Sequence, residues 1–128
     1  MQIFLDTANI DQIKQAAKLG IISGITTNPS LVSKEAMSDY QAIAKEICSL
    51  IPGPVSVEVL VKEAKPMVEQ ARQISTWAPN AVIKIPATID GLEATSALAK
   101  ENIKVNLTLC FSLNQALLGA LAGASYVS

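Results

Sequence analysis

Short apolar runs alternate with amphipathic segments along the whole 128-residue chain. Runs rich in β-branched and aliphatic residues predict strands, and segments with apolar positions three or four residues apart predict helices. Six strands are predicted, at residues 2–6, 24–28, 55–61, 81–87, 103–110 and 125–128. Five helices are predicted between them, beginning near Asn9, Ser38, Pro66, Asp90 and Ser112. This alternation is typical of parallel strands joined by right-handed crossovers.

Two α/β architectures fit this alternation. An open, doubly wound sheet suits a chain of this length, whereas a closed (β/α)8 barrel typically needs about 250 residues. No glycine-rich phosphate loop follows the first strand, which removes one common mark of a doubly wound nucleotide-binding protein. Length alone therefore does not decide between the two architectures.

The alternating positions of each predicted strand separate an apolar face from a face that becomes polar near the carboxyl end. In the third strand Val55, Val57 and Val59 share one face, while Glu58 lies on the other. Sorted in the same way, the polar faces collect Asp6, Thr26, Asn28, Glu58, Lys84, Asn106, Thr108 and Ser128.

The polar faces favour a barrel. Helices cover both faces of a doubly wound sheet, and each unpaired charge buried there would cost on the order of several kcal/mol. In a barrel the same side chains meet at one wet mouth, where the strands end. We therefore predict a (β/α)8 TIM-barrel type fold, of which this chain holds about the first six strands and five helices, as one domain over 1–128.

Lys84 is the one charge within the apolar run A-V-I-K-I-P-A at 81–87. Lysine is rarely fully buried unless it is paired. An amine removed from water loses its proton more readily and can form a Schiff base with a carbonyl substrate. Glu58 with Thr108 can hold the water that this chemistry needs, and Asp6 can act as a base on a hydroxyl group. Asn28, Asn106 and Ser128 can hydrogen-bond a polyol.

Several of these residues also have an ordinary structural explanation. Lys84 can extend to water or pair with Glu58. Asp6 can cap the helix region that begins near Asn9, and Asn28 precedes a proline and suits a turn. The shared face of the eight residues favours a site over these separate explanations.

Composition and charge narrow the classes of function. Ten basic and eleven acidic residues give a formal net charge of -1 and a pI of about 5.3, so no basic surface for nucleic acid or an anionic membrane is expected. The absence of histidine excludes Ser-His and Cys-His nucleophile pairs and makes a zinc site unfavourable. Cys48 and Cys110 lack C-x-x-C spacing and are interpreted as reduced residues of a cytoplasmic protein. The strand-like start, with no basic segment before an apolar one, predicts no signal peptide, and no apolar run reaches the roughly 18 residues of a membrane span.

Six segments, in this order and spacing, carry a resemblance to a known family. They are F-L-D-T-A-N, G-I-T-T-N-P-S-L-V, V-S-V-E-V, V-I-K-I-P-A-T, N-L-T-L-C-F-S and A-G-A-S-Y-V-S. The chain resembles the transaldolase family over its whole length, in particular the short bacterial branch that includes fructose-6-phosphate aldolases. The resemblance implies a (β/α)8 barrel with Lys84 as the Schiff-base lysine and Asp6 as the general acid/base. It also implies that Glu58 and Thr108 position the catalytic water, and that Asn28, Asn106 and Ser128, with Thr26 in the same mouth, hold the dihydroxyacetone moiety.

The reaction implied by the resemblance is the transfer of a three-carbon dihydroxyacetone unit between sugar phosphates in the pentose phosphate pathway. Sedoheptulose 7-phosphate and glyceraldehyde 3-phosphate would give erythrose 4-phosphate and fructose 6-phosphate, with no cofactor and no metal. The aldolase branch tends to carry glutamine where this chain has Glu58, which favours transaldolase. The resemblance also implies a homo-oligomer.

Members of this family continue past the sixth strand, and their later strands supply more of the phosphate site. We therefore expect the 128 residues to be an incomplete barrel that lacks the phosphate-binding cations. Two alternatives to a transaldolase stay open: a dihydroxyacetone-dependent aldolase, and an inactive fragment that is stable only as an oligomer.

Overall fold

The computed structural model describes residues 1–28 and 37–128. Its strands are β1 (Phe4–Asp6), β2 (Gly24–Thr26), β3 (Val55–Glu58), β4 (Ala81–Pro86), β5 (Val105–Thr108) and β6 (Tyr126–Val127). Its helices are α1 (Ile10–Ala17), α2 (Met37–Leu50), α3 (Ala64–Ser75), α4 (Ile89–Lys100) and α5 (Leu113–Ala122). Within the described residues, the predicted alternation of strands and helices is confirmed. The predicted start of the second helix at Ser38 adjoins residues 29–36, which lie outside the described part.

The order of the strands decides the architecture. All neighbouring pairs are parallel, and the sheet runs β1-β2-β3-β4-β5-β6 without a reversal. A doubly wound sheet reverses its strand order at a switch point, which is how its helices come to cover both faces. Right-handed crossovers that always step the same way place every helix on one face instead. The doubly wound alternative is therefore excluded, and the described strands form part of a (β/α)8 barrel.

A contact between the first and last strands shows that the sheet curls. The ring of Phe4 in β1 meets the ring of Tyr126 in β6 edge to face, with centroids 5.9 Å apart. Neighbouring strands lie about 4.8 Å apart, so the outer strands of a flat six-stranded sheet would be separated by roughly 24 Å. The two rings lie on the concave side, and Gly24 makes room for the Phe4 ring, because a Cβ there would lie 2.6 Å from it.

The core lies between the convex face of the sheet and the helices. Ile25, Val57, Ile83 and Leu107 are fully buried on that face. The apolar stripes of the helices pack against it through Ile13, Ile47, Met67, Ile74 and Leu98. None of the helices in the described ranges combines the length and the apolar character needed to cross a membrane.

The strand predicted over 103–110 is too long. Leu109 has a φ of 62° and is 52% exposed, so it lies outside β5 and off the apolar face. A positive φ breaks the extended backbone, and β5 ends at Thr108 for that reason.

Candidate active site

The predicted polar side chains that belong to β1 through β5 lie on the concave face of the sheet. The register pairs Asp6 with Thr26 across β1 and β2. It also pairs Glu58 with Lys84 across β3 and β4, and Lys84 with Asn106 across β4 and β5. Since paired residues of neighbouring strands point to the same face, these side chains share one side of the curled sheet.

Lys84 is paired in two directions. Its ammonium group donates to the carbonyl oxygen of Thr27 at 3.1 Å and lies 3.4 Å from Oε2 of Glu58. The Lys84 residue is 8% exposed, whereas the Glu58 side chain is 19% exposed. The amine is thus mostly withdrawn from water, and a carboxylate within proton-transfer reach still opens to the mouth.

Asp6 is held by the neighbouring strand. Its Oδ1 accepts a hydrogen bond of 2.7 Å from the hydroxyl group of Thr26. Asp6 is exposed at the carboxyl end of β1. A carboxylate in this position is oriented by one bond and remains accessible to a ligand.

Asn106 connects three strands on the concave face. Its amide nitrogen donates to the hydroxyl of Ser56 at 3.1 Å, and its amide oxygen accepts from the hydroxyl of Ser128 at 3.0 Å. Asn106 is 3% exposed. These bonds fix the plane of the Asn106 amide, so that the polar groups of Asn106 and Ser128 have fixed orientations on the concave face.

Thr108 and Asn28 complete the predicted set. Thr108 closes β5, is 7% exposed and stands opposite Pro86 in the register. Asn28 follows β2 and is partly buried. Thr108 shares the concave face with Asn106, while the register described for β2 ends at Thr26 and does not extend to Asn28.

Three residues of this region were not among the predicted site residues. The Ser56 hydroxyl lies on the polar face but belongs to the middle of its strand rather than the end. Thr27 takes part through its carbonyl oxygen, and no side-chain pattern reports a backbone atom. Tyr40 comes from α2 and therefore lies outside the strand pattern from which the site residues were predicted.

The Tyr40 hydroxyl bonds to both backbone groups of Glu58. It donates to the carbonyl oxygen and accepts from the N–H, each at 2.9 Å. Burial raises the pKa of the Tyr40 phenol to about 12, so the hydroxyl keeps its proton throughout the neutral range.

Within residues 1–28 and 37–128, no group of three histidine, cysteine, aspartate or glutamate side chains is arranged to hold a metal ion.

One known family accounts for nearly the whole chain. The sequence model of the family described as transaldolase/fructose-6-phosphate aldolase matches residues 3–128. The chain belongs to this family. The family described by that match is the one that the six sequence segments resemble.

Relatives within the transaldolase/fructose-6-phosphate aldolase family match over the whole chain. A "Probable transaldolase" of Dehalococcoides mccartyi is 59% identical, with 100% of this chain and 60% of that relative aligned. Proteins of the same name from Desulforudis audaxviator and Methanococcus maripaludis strain C7 are 55% and 54% identical. The chain spans about three fifths of the length of the curated relatives it matches.

Solved structures outside the family share the fold. A crystal structure of KGPDC from Streptococcus mutans matches with a TM-score of 0.57 at 17% identity, over 99% of this chain and 64% of that one. A structure of Rhizobium etli pyruvate carboxylase matches with a TM-score of 0.56 at 15% identity, over 98% of this chain and 15% of that one. At such identities the likeness concerns the arrangement of strands and helices alone.

Proposed function

We propose that the protein is a Schiff-base transaldolase that transfers a dihydroxyacetone unit between sugar phosphates. The observation that carries the proposal is the Lys84 amine, which lies on the concave face with the Glu58 carboxylate 3.4 Å away. The chain's membership of the transaldolase/fructose-6-phosphate aldolase family supports the same chemistry.

In the first step the Lys84 amine attacks the ketone carbon of a ketose phosphate. The carbonyl oxygen takes up a proton, and the resulting carbinolamine loses water to leave an iminium ion. Glu58, which borders the amine, and Thr108 hold the water molecule that carries these protons.

In the second step Asp6 removes the proton of the hydroxyl group two carbons from the iminium carbon. The adjacent carbon–carbon bond breaks, an aldose phosphate leaves, and the bonding electrons form an enamine on Lys84. Attack of this enamine on an acceptor aldehyde, with return of the proton from Asp6, makes the new carbon–carbon bond. Water then hydrolyses the new iminium and frees the amine.

The remaining residues of the mouth bind the three-carbon unit. Asn106 and Ser128, already oriented by hydrogen bonds, offer donors and acceptors to its hydroxyl groups. Asn28 and Thr26 contribute from the end of β2. Sedoheptulose 7-phosphate and glyceraldehyde 3-phosphate are the proposed substrates, in the cytoplasmic pentose phosphate pathway, and the proposed active form is a homo-oligomer.

Reductive trapping tests the Schiff base. Borohydride added to the protein as encoded, together with fructose 6-phosphate, should leave a covalent adduct on Lys84 that peptide mass spectrometry locates. Lys84→Met should form no adduct and no product. Lys104→Met is the matched control, because this lysine directly precedes β5 at the opposite end of the strands. A Lys84→Met protein that still forms product would refute the mechanism.

The family description also names fructose-6-phosphate aldolase, so cleavage without an acceptor is the second candidate activity. The two activities differ in the fate of the enamine: protonation releases free dihydroxyacetone, whereas an acceptor aldehyde captures the unit. Fructose 6-phosphate is therefore incubated with and without erythrose 4-phosphate. Transfer that exceeds release supports transaldolase, and dominant release of dihydroxyacetone identifies the aldolase. If residues 1–128 expressed alone turn over nothing and sediment only as an oligomer, that piece is an inactive fragment.

A further inference from the structure

Among the residues that the structure describes, the backbone ladder between β2 and β3 ends one step before Glu58. The last bond of the ladder runs from the N–H of Thr27 to the carbonyl of Ser56, at 3.1 Å. Donors of a parallel ladder on one strand recur every second residue, so the next donor would be residue 29. That residue is a proline and has no N–H. The carbonyl of Glu58 therefore needs a donor from outside the sheet.

The Tyr40 hydroxyl supplies this donor and also accepts the N–H of Glu58, each bond measuring 2.9 Å. The Tyr40 side chain has little freedom to move away. The residue is 5% exposed, and its ring packs edge to face on Trp77 with centroids 5.9 Å apart. A rigid aromatic side chain from α2 thus takes the place of a missing strand neighbour at the residue whose carboxylate faces Lys84.

The same break frees an acceptor for the amine. In a continued ladder the N–H of Glu58 would donate to the carbonyl of Thr27. Because this N–H bonds to Tyr40 instead, the Thr27 carbonyl accepts from the ammonium group of Lys84 at 3.1 Å. The bond from the Glu58 N–H to Tyr40 therefore determines the positions of both groups that contact the Lys84 amine, the Glu58 carboxylate and the Thr27 carbonyl.

We propose that Tyr40 is a positioning residue for the Lys84–Glu58 pair. Its hydroxyl replaces the broken β2–β3 ladder, fixes the backbone of Glu58 so that the carboxylate stands beside the amine, and leaves the Thr27 carbonyl to Lys84. The consequence for catalysis rests on the proposed Schiff-base function, whereas the consequence for the reactivity of the amine does not. Of the groups that face Lys84 from β3, β5 and the end of β2, Glu58 carries the charge, while Asn106 and the Thr27 carbonyl are neutral.

The test compares Tyr40→Phe, Glu58→Gln and the double variant in the protein as encoded. Tyr126→Phe is the matched control, since it also removes one phenolic hydroxyl from a residue that contacts another ring. Two quantities are measured: kcat and KM for transfer from fructose 6-phosphate, and the rate at which a water-soluble amine reagent labels Lys84 across the pH range. Labelling needs no substrate and no turnover.

If Tyr40 acts through Glu58, Tyr40→Phe should lower kcat by about tenfold with a smaller change in KM, because a misplaced carboxylate impairs the chemical steps. In the Glu58→Gln background the same change should cost less than about twofold. The Lys84 labelling profile of Tyr40→Phe should change in the same direction as that of Glu58→Gln, because both variants take the carboxylate away from the amine, and the profile of Tyr126→Phe should match the native one. Equal losses of kcat in both backgrounds, or a labelling profile that Tyr40→Phe leaves unmoved, would overturn the proposal.

Failure of the proposed function has a different signature. A native protein that forms no borohydride adduct but shows the labelling shifts would refute the Schiff-base transaldolase and keep the positioning role. Should Tyr40→Phe not fold, Tyr40→3-fluorotyrosine keeps the ring and the hydroxyl but ionises at lower pH. When Glu58 is present, the fluorinated residue should change the rate of Lys84 labelling at alkaline pH relative to the protein with an ordinary Tyr40. In the Glu58→Gln background the fluorinated residue should leave that rate unchanged. The same effect in both backgrounds would overturn the proposal.

Discussion

Asp6 and Lys84 are held by different neighbours, which separates two steps of the proposed reaction. Asp6 accepts a 2.7 Å bond from Thr26, whereas Lys84 is oriented by Glu58 and the carbonyl of Thr27. No described hydrogen bond or ion pair joins the two side chains directly. A change at Asp6 should therefore spare imine formation and block the step that follows it.

We predict that Asp6→Asn lowers the rate of transfer by about 10²- to 10⁴-fold, the usual effect of losing a general base. Borohydride should still trap the imine on Lys84 at close to the native level. Thr26→Val, which removes the hydrogen bond to Asp6 and one hydroxyl group of the binding set but keeps the Asp6 carboxylate, should cost much less. Loss of the trapped adduct in Asp6→Asn, measured by peptide mass spectrometry, would show that Asp6 acts before cleavage and contradict its assigned role.

The raised pKa values of two buried residues predict how the free energy of unfolding changes at alkaline pH. Burial raises the pKa of Tyr40 from 10.0 to about 12 and that of the Cys48 thiol from 9.0 to about 11. The unfolded chain therefore loses these protons first as pH rises. The stabilisation is fully present below about pH 9 and is lost between pH 9 and 12, at about 2 to 3 kcal/mol for each group.

Urea unfolding at pH 8 and pH 11 checks this response. Tyr40→Phe should be less stable than the native protein at pH 8, because it leaves the backbone groups of Glu58 unbonded, at about 1 to 3 kcal/mol. At pH 11 the difference in unfolding free energy between the native protein and Tyr40→Phe should be smaller by about 1 to 2 kcal/mol. The corresponding difference for Cys48→Ala should be smaller by about 2 kcal/mol. Differences that stay constant with pH would mean that neither group is shielded from water.

At the scale of elements, the ends of the helices were easier to predict than the ends of the strands. The Asn9 side chain accepts from the N–H of Gln12 at 3.0 Å, and the Ser112 hydroxyl accepts from the N–H of Gln115 at 3.2 Å, as the spacing of these residues predicts. Such caps are local. The end of a strand depends on its neighbours in the sheet: the strand predicted over 55–61 stops at Glu58, two residues beyond Ser56, the last residue that pairs with β2. That boundary depends on a segment some 30 residues away.

The two left-handed glycines give a matched pair of element-scale variants. Gly123, after α5, has a φ of 95°, and a Cβ there would lie 2.6 Å from the Cβ of Ala99 in α4. Gly20, after α1, has a φ of 67°, and a Cβ added there would meet no neighbouring atom within 4 Å. Gly20→Ala should cost about 1 to 2 kcal/mol from backbone strain alone. Gly123→Ala should cost about 1 to 3 kcal/mol more, because the helices must shift apart.

Thermal and urea unfolding of the two variants measure this difference. Ala99→Gly by itself should cost about 0.5 to 1 kcal/mol, because it places a glycine inside α4. In the Ala99→Gly background, Gly123→Ala should cost much less than it does in the native protein, whereas the cost of Gly20→Ala should be the same in both backgrounds. Equal costs at the two glycines would show that α4 and α5 are not packed as closely as described.

At the scale of the whole molecule, strand alternation predicts the barrel and most of the polar side chains that its strands place on the concave face. The rule succeeds because successive side chains of a strand point to opposite faces of the sheet, and burying a charge such as that of Lys84 on a face without water is unfavourable. The same rule could not find the contribution of Thr27, which is a backbone carbonyl, or that of Tyr40, whose hydroxyl reaches the backbone of Glu58 from a helix. These two contacts lie where the described register between β2 and β3 ends, and that point becomes visible only when the register is known.

The curl of the sheet predicts an energetic coupling between two strands that are not neighbours in the strand order. Phe4 and Tyr126 lie at opposite ends of the strand order, yet their rings meet at 5.9 Å. A double-mutant cycle of Phe4→Ala and Tyr126→Ala should therefore give a coupling free energy of about 0.5 to 1.5 kcal/mol, as expected for an edge-to-face pair.

The control cycle pairs Phe4→Ala with Trp77→Ala, whose ring packs on Tyr40 at the helical side of the sheet. Those two changes should be additive to within about 0.5 kcal/mol, because separated residues with no shared partner do not couple. A Phe4–Tyr126 coupling as small as this control would mean that the sheet is open in solution. The residues of β1 and those of β5 and β6 would then lie too far apart to act on one substrate, so the cycle also tests the geometry that a shared active site requires.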